Sequence, residues 1–148
     1  MIKKARLDGS RLIHLRIAMT TDSLPTLGEP VASSVWDILA HAETLVYYDG
    51  PLVSKFVSTD GTPWMVSWGD FGYVSGKLVN RWVVLACTEE LLQSAREDSD
   101  GFAGQLRAAL LAANEVFLVD LACDQDNGVV AEFVLAGAKL PENLLPSA

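Results

Sequence analysis

The chain has 148 residues, half of them apolar, and carries 11 basic against 19 acidic side chains, a formal net charge of −8. This composition excludes an intrinsically disordered chain and predicts a single packed domain over residues 1–148. The negative charge disfavours direct nucleic-acid binding, which needs clustered lysine and arginine to release counterions from phosphates.

The apolar runs are too short for a membrane span. The longest, Trp82–Cys87, falls far below the ~20 residues that cross a bilayer. Asp8 and Arg11 interrupt any apolar stretch that might serve as a secretory signal after the basic start of the chain. We therefore expect a cytoplasmic protein without a membrane partner, and we interpret Cys87 and Cys123 as buried thiols.

The first 41 residues predict three segments. Loose alternation of apolar and polar residues over Arg11–Met19 indicates a half-buried strand, and a cluster of proline, glycine and aspartate predicts a loop over Thr20–Pro30. Residues 1–30 are thus an N-terminal strand and loop. Apolar residues at helical spacing then predict a short helix within residues 31–41.

Residues 42–87 predict a β-meander. The dipeptides Asp49-Gly50 and Asp60-Gly61 favour hairpin turns, because glycine tolerates a positive φ freely and aspartate does so better than most residues. These turns separate three predicted strands, Glu43–Tyr48, Leu52–Ser58 and Trp64–Trp68. A flexible connection over residues 69–76 leads to a fourth strand, Arg81–Cys87, whose apolar residues on both faces indicate the middle of the sheet.

The remainder predicts helices followed by a hairpin. Thr88 is a suitable N-cap for a helical segment over residues 88–113, broken near Gly101, and residues 115–135 form a hairpin around Asn127-Gly128. The fold class is α+β. We expect a mainly antiparallel twisted sheet of five to seven strands, with two or three helices packed on one face.

The motifs that resemble catalytic ones lack the context that such chemistry needs. Gly69-Asp70-Phe71-Gly72 contains an Asp-Phe-Gly triplet, but it connects two predicted strands and does not open a helix. His14 and His41 lie in no nucleophile motif, and we interpret both as structural or surface residues. We therefore expect no catalytic residue, no cofactor and no metal.

Aromatic residues and one carboxylate give the candidate binding surface. Asp70 follows the aromatic strand in a stretch where no turn rule demands an aspartate, and adjacent tyrosines in a strand point to opposite faces, so one of them is expected near solvent. The candidate surface consists of Tyr47, Tyr48, Trp68, Asp70, Phe71 and Tyr73.

The middle of the chain resembles an uncharacterised family of small bacterial domains over approximately residues 42–135. The residues that carry this resemblance are Tyr47-Tyr48-Asp49-Gly50-Pro51-Leu52, Trp64–Trp68, Arg81-Trp82-Val83-Val84, Thr88-Glu89-Glu90-Leu91 and Gln105-Leu106-Arg107-Ala108-Ala109-Leu110. The resemblance implies a curved sheet with helices on one face, in a small stand-alone bacterial or mobile-element protein. It implies no chemistry.

Two functions remain open from the sequence. The first is a non-enzymatic, acidic protein–protein interaction module of the accessory, immunity-like, antitoxin-like or inhibitor type, whose partner has a basic surface. The alternative is a small-molecule or nucleotide-binding domain, or a minor enzyme, with a pocket formed by the Asp70 loop and the rings of Trp64, Trp68 and Tyr73. A homodimer is also conceivable through an edge strand such as Leu52–Ser58 or Val129–Leu135.

Overall fold

The fold is an antiparallel β-sheet with two α-helices, taken from a computed structural model. The structure describes residues 22–47, 51–97, 100–124 and 128–146. The strand predicted over Arg11–Met19 and the turn dipeptide Asp49-Gly50 lie outside these ranges. The predicted α+β class with an antiparallel sheet is confirmed.

Seven strands and two α-helices alternate with short turns in the described part of the chain. The strands are β1 (Glu29–Pro30), β2 (Leu39–Tyr47), β3 (Pro51–Ser58), β4 (Pro63–Val74), β5 (Lys77–Ala86), β6 (Val116–Ala122) and β7 (Val129–Leu135). The helices are α1 (Glu89–Arg96) and α2 (Phe102–Ala112), and single 3-10 turns occupy Trp36–Ile38, Gly137–Lys139 and Glu142–Leu144.

The strand order across the sheet is β1-β7-β6-β5-β4-β3-β2. The predicted central position of the fourth meander strand is confirmed, because β5 has three strands on either side. The suggestion that Leu52–Ser58 forms an edge is wrong, since β3 lies between β2 and β4. The segment Val129–Leu135 is β7, and its outer side pairs with the two residues of β1.

The predicted loop around Asp70 is wrong, because β4 continues through it without a break. A register shift between Trp68 and Asp70 leaves Gly69 as an extra residue in a β-bulge. A Cβ on Gly69 would lie 2.9 Å from Leu144 Cδ2, and one on Gly72 would lie 2.5 Å from Ser23 Oγ. Both glycines therefore permit close packing against distant segments, and they do not mark a flexible connection.

The helix predicted within residues 31–41 is also wrong in extent. Only Trp36–Ile38 form a helical turn, and β2 begins at Leu39, four residues before the predicted start, because Leu39 pairs with Ser58 of β3. Trp36 is buried and its ring lies 5.2 Å from that of Phe56, so tertiary packing fixes this segment.

The two helices follow the sequence prediction. Thr88 caps α1, because its Oγ1 accepts a hydrogen bond of 3.3 Å from Leu91 N, and Glu89 and Glu90 lie in the first turn, where the helix dipole favours acids. The first helix ends at Arg96, and α2 begins at Phe102, directly after Gly101.

The core consists of two clusters of buried side chains. Alternating residues of the central strand β5 belong to one cluster or the other. Val83 and Leu85 belong to the first cluster, together with the buried residues of both helices: Leu91, Leu92, Ala95, Leu106 and Leu110. Trp82 and Val84 belong to the second cluster, which also contains Val35, Trp36 and Leu39. Residues 31–39 therefore cover the second cluster.

Candidate functional site

Trp68, Phe71 and Tyr73 of the predicted binding surface lie on one side of β4. The rings of Trp68 and Phe71 lie 6.5 Å apart, and Trp68 Nε1 donates a hydrogen bond of 3.0 Å to Asn80 Oδ1. Tyr73 is buried, with 8% of its surface exposed. The structure thus brings Trp68 and Phe71 together as partly buried packing residues.

Asp70 lies on the opposite face of the sheet from these rings. It pairs with Arg81 of β5, whereas Phe71 pairs with Asn80, and neighbouring residues of a strand point to opposite faces. The Asp70 carboxylate accepts hydrogen bonds from Phe71 N at 2.8 Å and from Asn143 Nδ2 at 3.1 Å. Asp70 therefore fastens the C-terminal segment to β4, away from the aromatic rings.

The two tyrosines of the predicted surface fall at the end of β2. Tyr47 is its last residue and pairs through the backbone with Pro51. The Tyr47 side chain and the whole of Tyr48 lie outside the part of the chain that the structure describes.

A buried ion pair, which the sequence analysis missed, joins the central strand β5 to its neighbour β6. Arg81 Nε donates to Asp120 Oδ1 at 2.8 Å and Arg81 Nη2 donates to Asp120 Oδ2 at 2.9 Å, and their side chains are 2% and 0% exposed. The two residues are direct partners in the ladder between β5 and β6. The guanidinium carbon also lies 5.8 Å from the centre of the Phe133 ring.

The described N-terminal residues cover this ion pair. We call residues 22–28 the strap. Ser23 N donates to Tyr73 O at 2.9 Å and Ser23 Oγ accepts from Tyr73 N at 2.8 Å, which fixes one end of the strap to β4. The Pro25 carbonyl then accepts a hydrogen bond of 2.6 Å from Arg81 Nη1. Three donors of the guanidinium are thereby satisfied, as a buried charge requires.

A cleft of about 360 Å³ lies between residues 30–38 and the start of strands β4 and β6. We call it the loop cleft. Its floor contains Trp64 and Phe117, whose rings meet edge to face at 5.8 Å, and Val134 lies beside them. Ile38, which is 39% exposed, also lines the cleft.

Glu132 holds the loop that forms this cleft. Its carboxylate accepts hydrogen bonds from Val35 N at 2.9 Å and from Trp36 N at 3.4 Å, and Ser34 Oγ donates to it as well. Three donors on a single carboxylate fix the backbone of residues 34–36 over the sheet. Hydrogen bonds within the protein therefore hold this wall of the loop cleft in place.

A second cleft, of about 420 Å³, lies between the end of β5 and the two helices. Cys87 lines it, and burial, followed by the negative charge of Glu89, raises the pKa of this thiol to about 11. Burial likewise raises the pKa of the Cys123 thiol to about 11, with a further contribution from Asp124. Both cysteines are free thiols, and both stay protonated at neutral pH, where a nucleophile would need the thiolate.

The charges are distributed unevenly along the chain. Residues 22–148 contain six basic and 18 acidic side chains, a net charge of −12, because five of the 11 basic residues lie among the first 16. Four of the six basic side chains form ion pairs with acids, namely Lys55, Arg81, Arg96 and Arg107. Among the described residues, exposed acidic side chains therefore outnumber exposed basic ones.

Two surface ion pairs shift the pKa of their acids. A hydrogen bond from Arg96 lowers the pKa of Glu43, and one from Arg107 lowers the pKa of Glu142.

Within the described ranges, no three potential metal ligands lie together. Neither of the two described α-helices has the length and apolar character of a membrane-spanning helix. His41 is exposed and has a positive φ of 57° at an irregular part of β2.

The chain matches no known protein-family model, no curated protein and no solved structure. The resemblance of residues 42–135 to an uncharacterised bacterial family stays a prediction.

Proposed function

We propose that this chain is a small acidic protein–protein interaction module, of the accessory, immunity-like, antitoxin-like or inhibitor type, and not an enzyme. The observation that carries this proposal is the unequal charge of residues 22–148, in which six basic side chains oppose 18 acidic ones. Even if every one of these basic side chains were paired with one acid, 12 acidic side chains would remain without a basic partner. Such a surface attracts a partner with a basic face.

The alternative, a small-molecule site formed by Asp70 and aromatic rings, gains no support from the geometry. Asp70 pairs with Arg81, whereas Trp68 pairs with Trp82, the next residue of β5, so the two side chains point to opposite faces. Tyr73, a third member of that pocket, is 8% exposed. The interaction module therefore accounts better for the arrangement of these residues.

We further propose a twisted sheet with both helices against one face. This is supported by the cluster that contains Val83, Leu85 and the buried residues of both helices. We also propose that the protein works in the bacterial cytoplasm, a reducing compartment in which the two free thiols would persist.

The test is affinity capture with the tagged full-length chain from an extract of its native host at about 50 mM NaCl, where the Debye length exceeds ~10 Å. We expect one host protein in stoichiometric amount, rich in exposed lysine and arginine, and released at about 500 mM NaCl. The control bait carries Glu90→Gln, Glu97→Gln and Glu115→Gln, and should capture less. Capture of no stoichiometric protein, or of an acidic one, would refute the proposal.

A further inference from the structure

The loop cleft combines an apolar floor with an exposed apolar rim. Trp64, Phe117 and Val134 form the floor. Ile38 is one of three exposed large hydrophobic residues in the part of the chain that the structure describes. A preformed, mostly apolar concavity of about 360 Å³ is of the size that takes a few side chains of a ligand. The cleft therefore offers a place for an apolar anchor.

The charge around the loop cleft is negative. Glu115 is the charged residue among those that line it, and no described lysine or arginine does so. Glu29 and Asp37 are the chain neighbours of the lining residues Pro30 and Ile38, and both are exposed. An occupant that brings a positive charge beside its apolar anchor would match this rim.

We propose that the loop cleft is the docking site for a short partner segment that places an apolar side chain next to a lysine or arginine. This inference rests on the proposed function and names the surface and the recognition chemistry. The apolar side chain lies on Trp64 and Phe117, and the cation faces Glu115.

The test uses a random library of displayed 12-residue peptides, selected against the full-length chain at about 100 mM NaCl. We expect the enriched peptides to contain a lysine or arginine adjacent to an aliphatic or aromatic residue. One enriched peptide is synthesised and titrated into the isotope-labelled chain. The Trp64 Nε1–H resonance, assigned from a Trp64→Phe sample, should then move more than those of Trp36 and Trp82.

Two matched pairs of surface variants locate the binding site. Ile38→Asp should weaken binding about tenfold or more, whereas Leu111→Asp should change it less than about twofold, since both residues are 39% exposed and only Ile38 lines the cleft. Glu115→Lys and Glu97→Lys change the net charge equally. Only Glu115→Lys should weaken binding about threefold or more.

Several outcomes would overturn this inference. These are a library without enriched sequences, enriched peptides that lack the basic and apolar pair, and equal effects of Ile38→Asp and Leu111→Asp. A Trp64 Nε1–H resonance that shifts with protein concentration in the absence of peptide would identify a second copy of the chain as the occupant. None of these depends on capture from the host, so failure here and failure of the proposed function are distinguishable.

Discussion

Arg81 of β5 and Asp120 of β6 lie opposite each other on neighbouring strands and share two hydrogen bonds of 2.8 and 2.9 Å, with both side chains removed from water. Burial of two charges is costly, and a pair in this geometry repays the cost only while both partners are present. The Pro25 carbonyl completes the arrangement, so the ion pair also fixes the strap to the sheet.

Removal of one partner of this ion pair should destabilise the fold strongly. We expect Asp120→Asn to lower the free energy of unfolding by about 3–5 kcal/mol, because it leaves the Arg81 charge buried without a counterion. Urea denaturation followed by tryptophan fluorescence measures the effect. The double variant Arg81→Met with Asp120→Leu is the control, and it should recover most of the loss. A cost below about 1 kcal/mol for Asp120→Asn would contradict a buried, paired charge.

The end of the strap depends on the absence of a side chain at Gly28. This residue has a φ of +71°, and a Cβ there would lie 2.4 Å from the Val134 carbonyl oxygen. Gly61 is a matched control, because its φ of +86° imposes a similar backbone strain while a Cβ there meets nothing within 4 Å. We expect Gly28→Ala to destabilise the protein more than Gly61→Ala by about 1–3 kcal/mol in urea denaturation. Equal effects would show that the strap does not pack on β7 as described.

The ion pair between Arg107 and Glu142 should make stability depend on pH. The hydrogen bond from Arg107 lowers the pKa of Glu142 below its ordinary value of 4.5, so the folded state binds this proton less readily than the unfolded state. The resulting stabilisation is complete above that ordinary value and is lost as the pH falls through the lowered pKa. A carbon-detected NMR titration of Glu142 should give a midpoint below 4.5 that rises in Arg107→Gln. An unchanged midpoint would contradict the ion pair.

The two thiols should react slowly with alkylating agents. A pKa of about 11 leaves both Cys87 and Cys123 almost wholly protonated at neutral pH. We expect iodoacetamide at about pH 7.5 to modify the native protein about 100-fold or more slowly than free cysteine, with rates that increase up to about pH 10. Mass spectrometry of quenched samples measures both rates, with the urea-unfolded chain as the control. Rapid modification of either cysteine in the native protein would contradict the raised pKa of its thiol.

Local signals in the sequence predicted much of the sheet and both helices. The alternation in β5, the Asp60-Gly61 turn and the Thr88 cap each depend on a few neighbouring residues, so the sequence displays them directly. The turn between β4 and β5 was missed although Ser75 and Gly76 both have a positive φ, since a serine at that position is a weak turn signal.

The errors arose where distant segments decide the structure. In the sequence, Gly69 and Gly72 indicate a flexible loop. In the structure, Leu144 and Ser23 pack where a Cβ of these glycines would lie. The candidate site was mispredicted for the same reason, because the bulge at Gly69 places Asp70 on the opposite face of the sheet from Trp68. The ion pair is a second example. No pattern in the sequence of β5 or β6 indicates that Arg81 pairs with Asp120, 39 residues further along the chain.

The association rate of the chain with the host protein that it captures tests the acidic interaction module most directly. Stopped-flow fluorescence should show this rate constant falling about tenfold or more as NaCl is raised from about 50 to about 500 mM, while the dissociation rate constant changes much less. An association rate constant that stays within about twofold over that range would contradict recognition through the acidic surface.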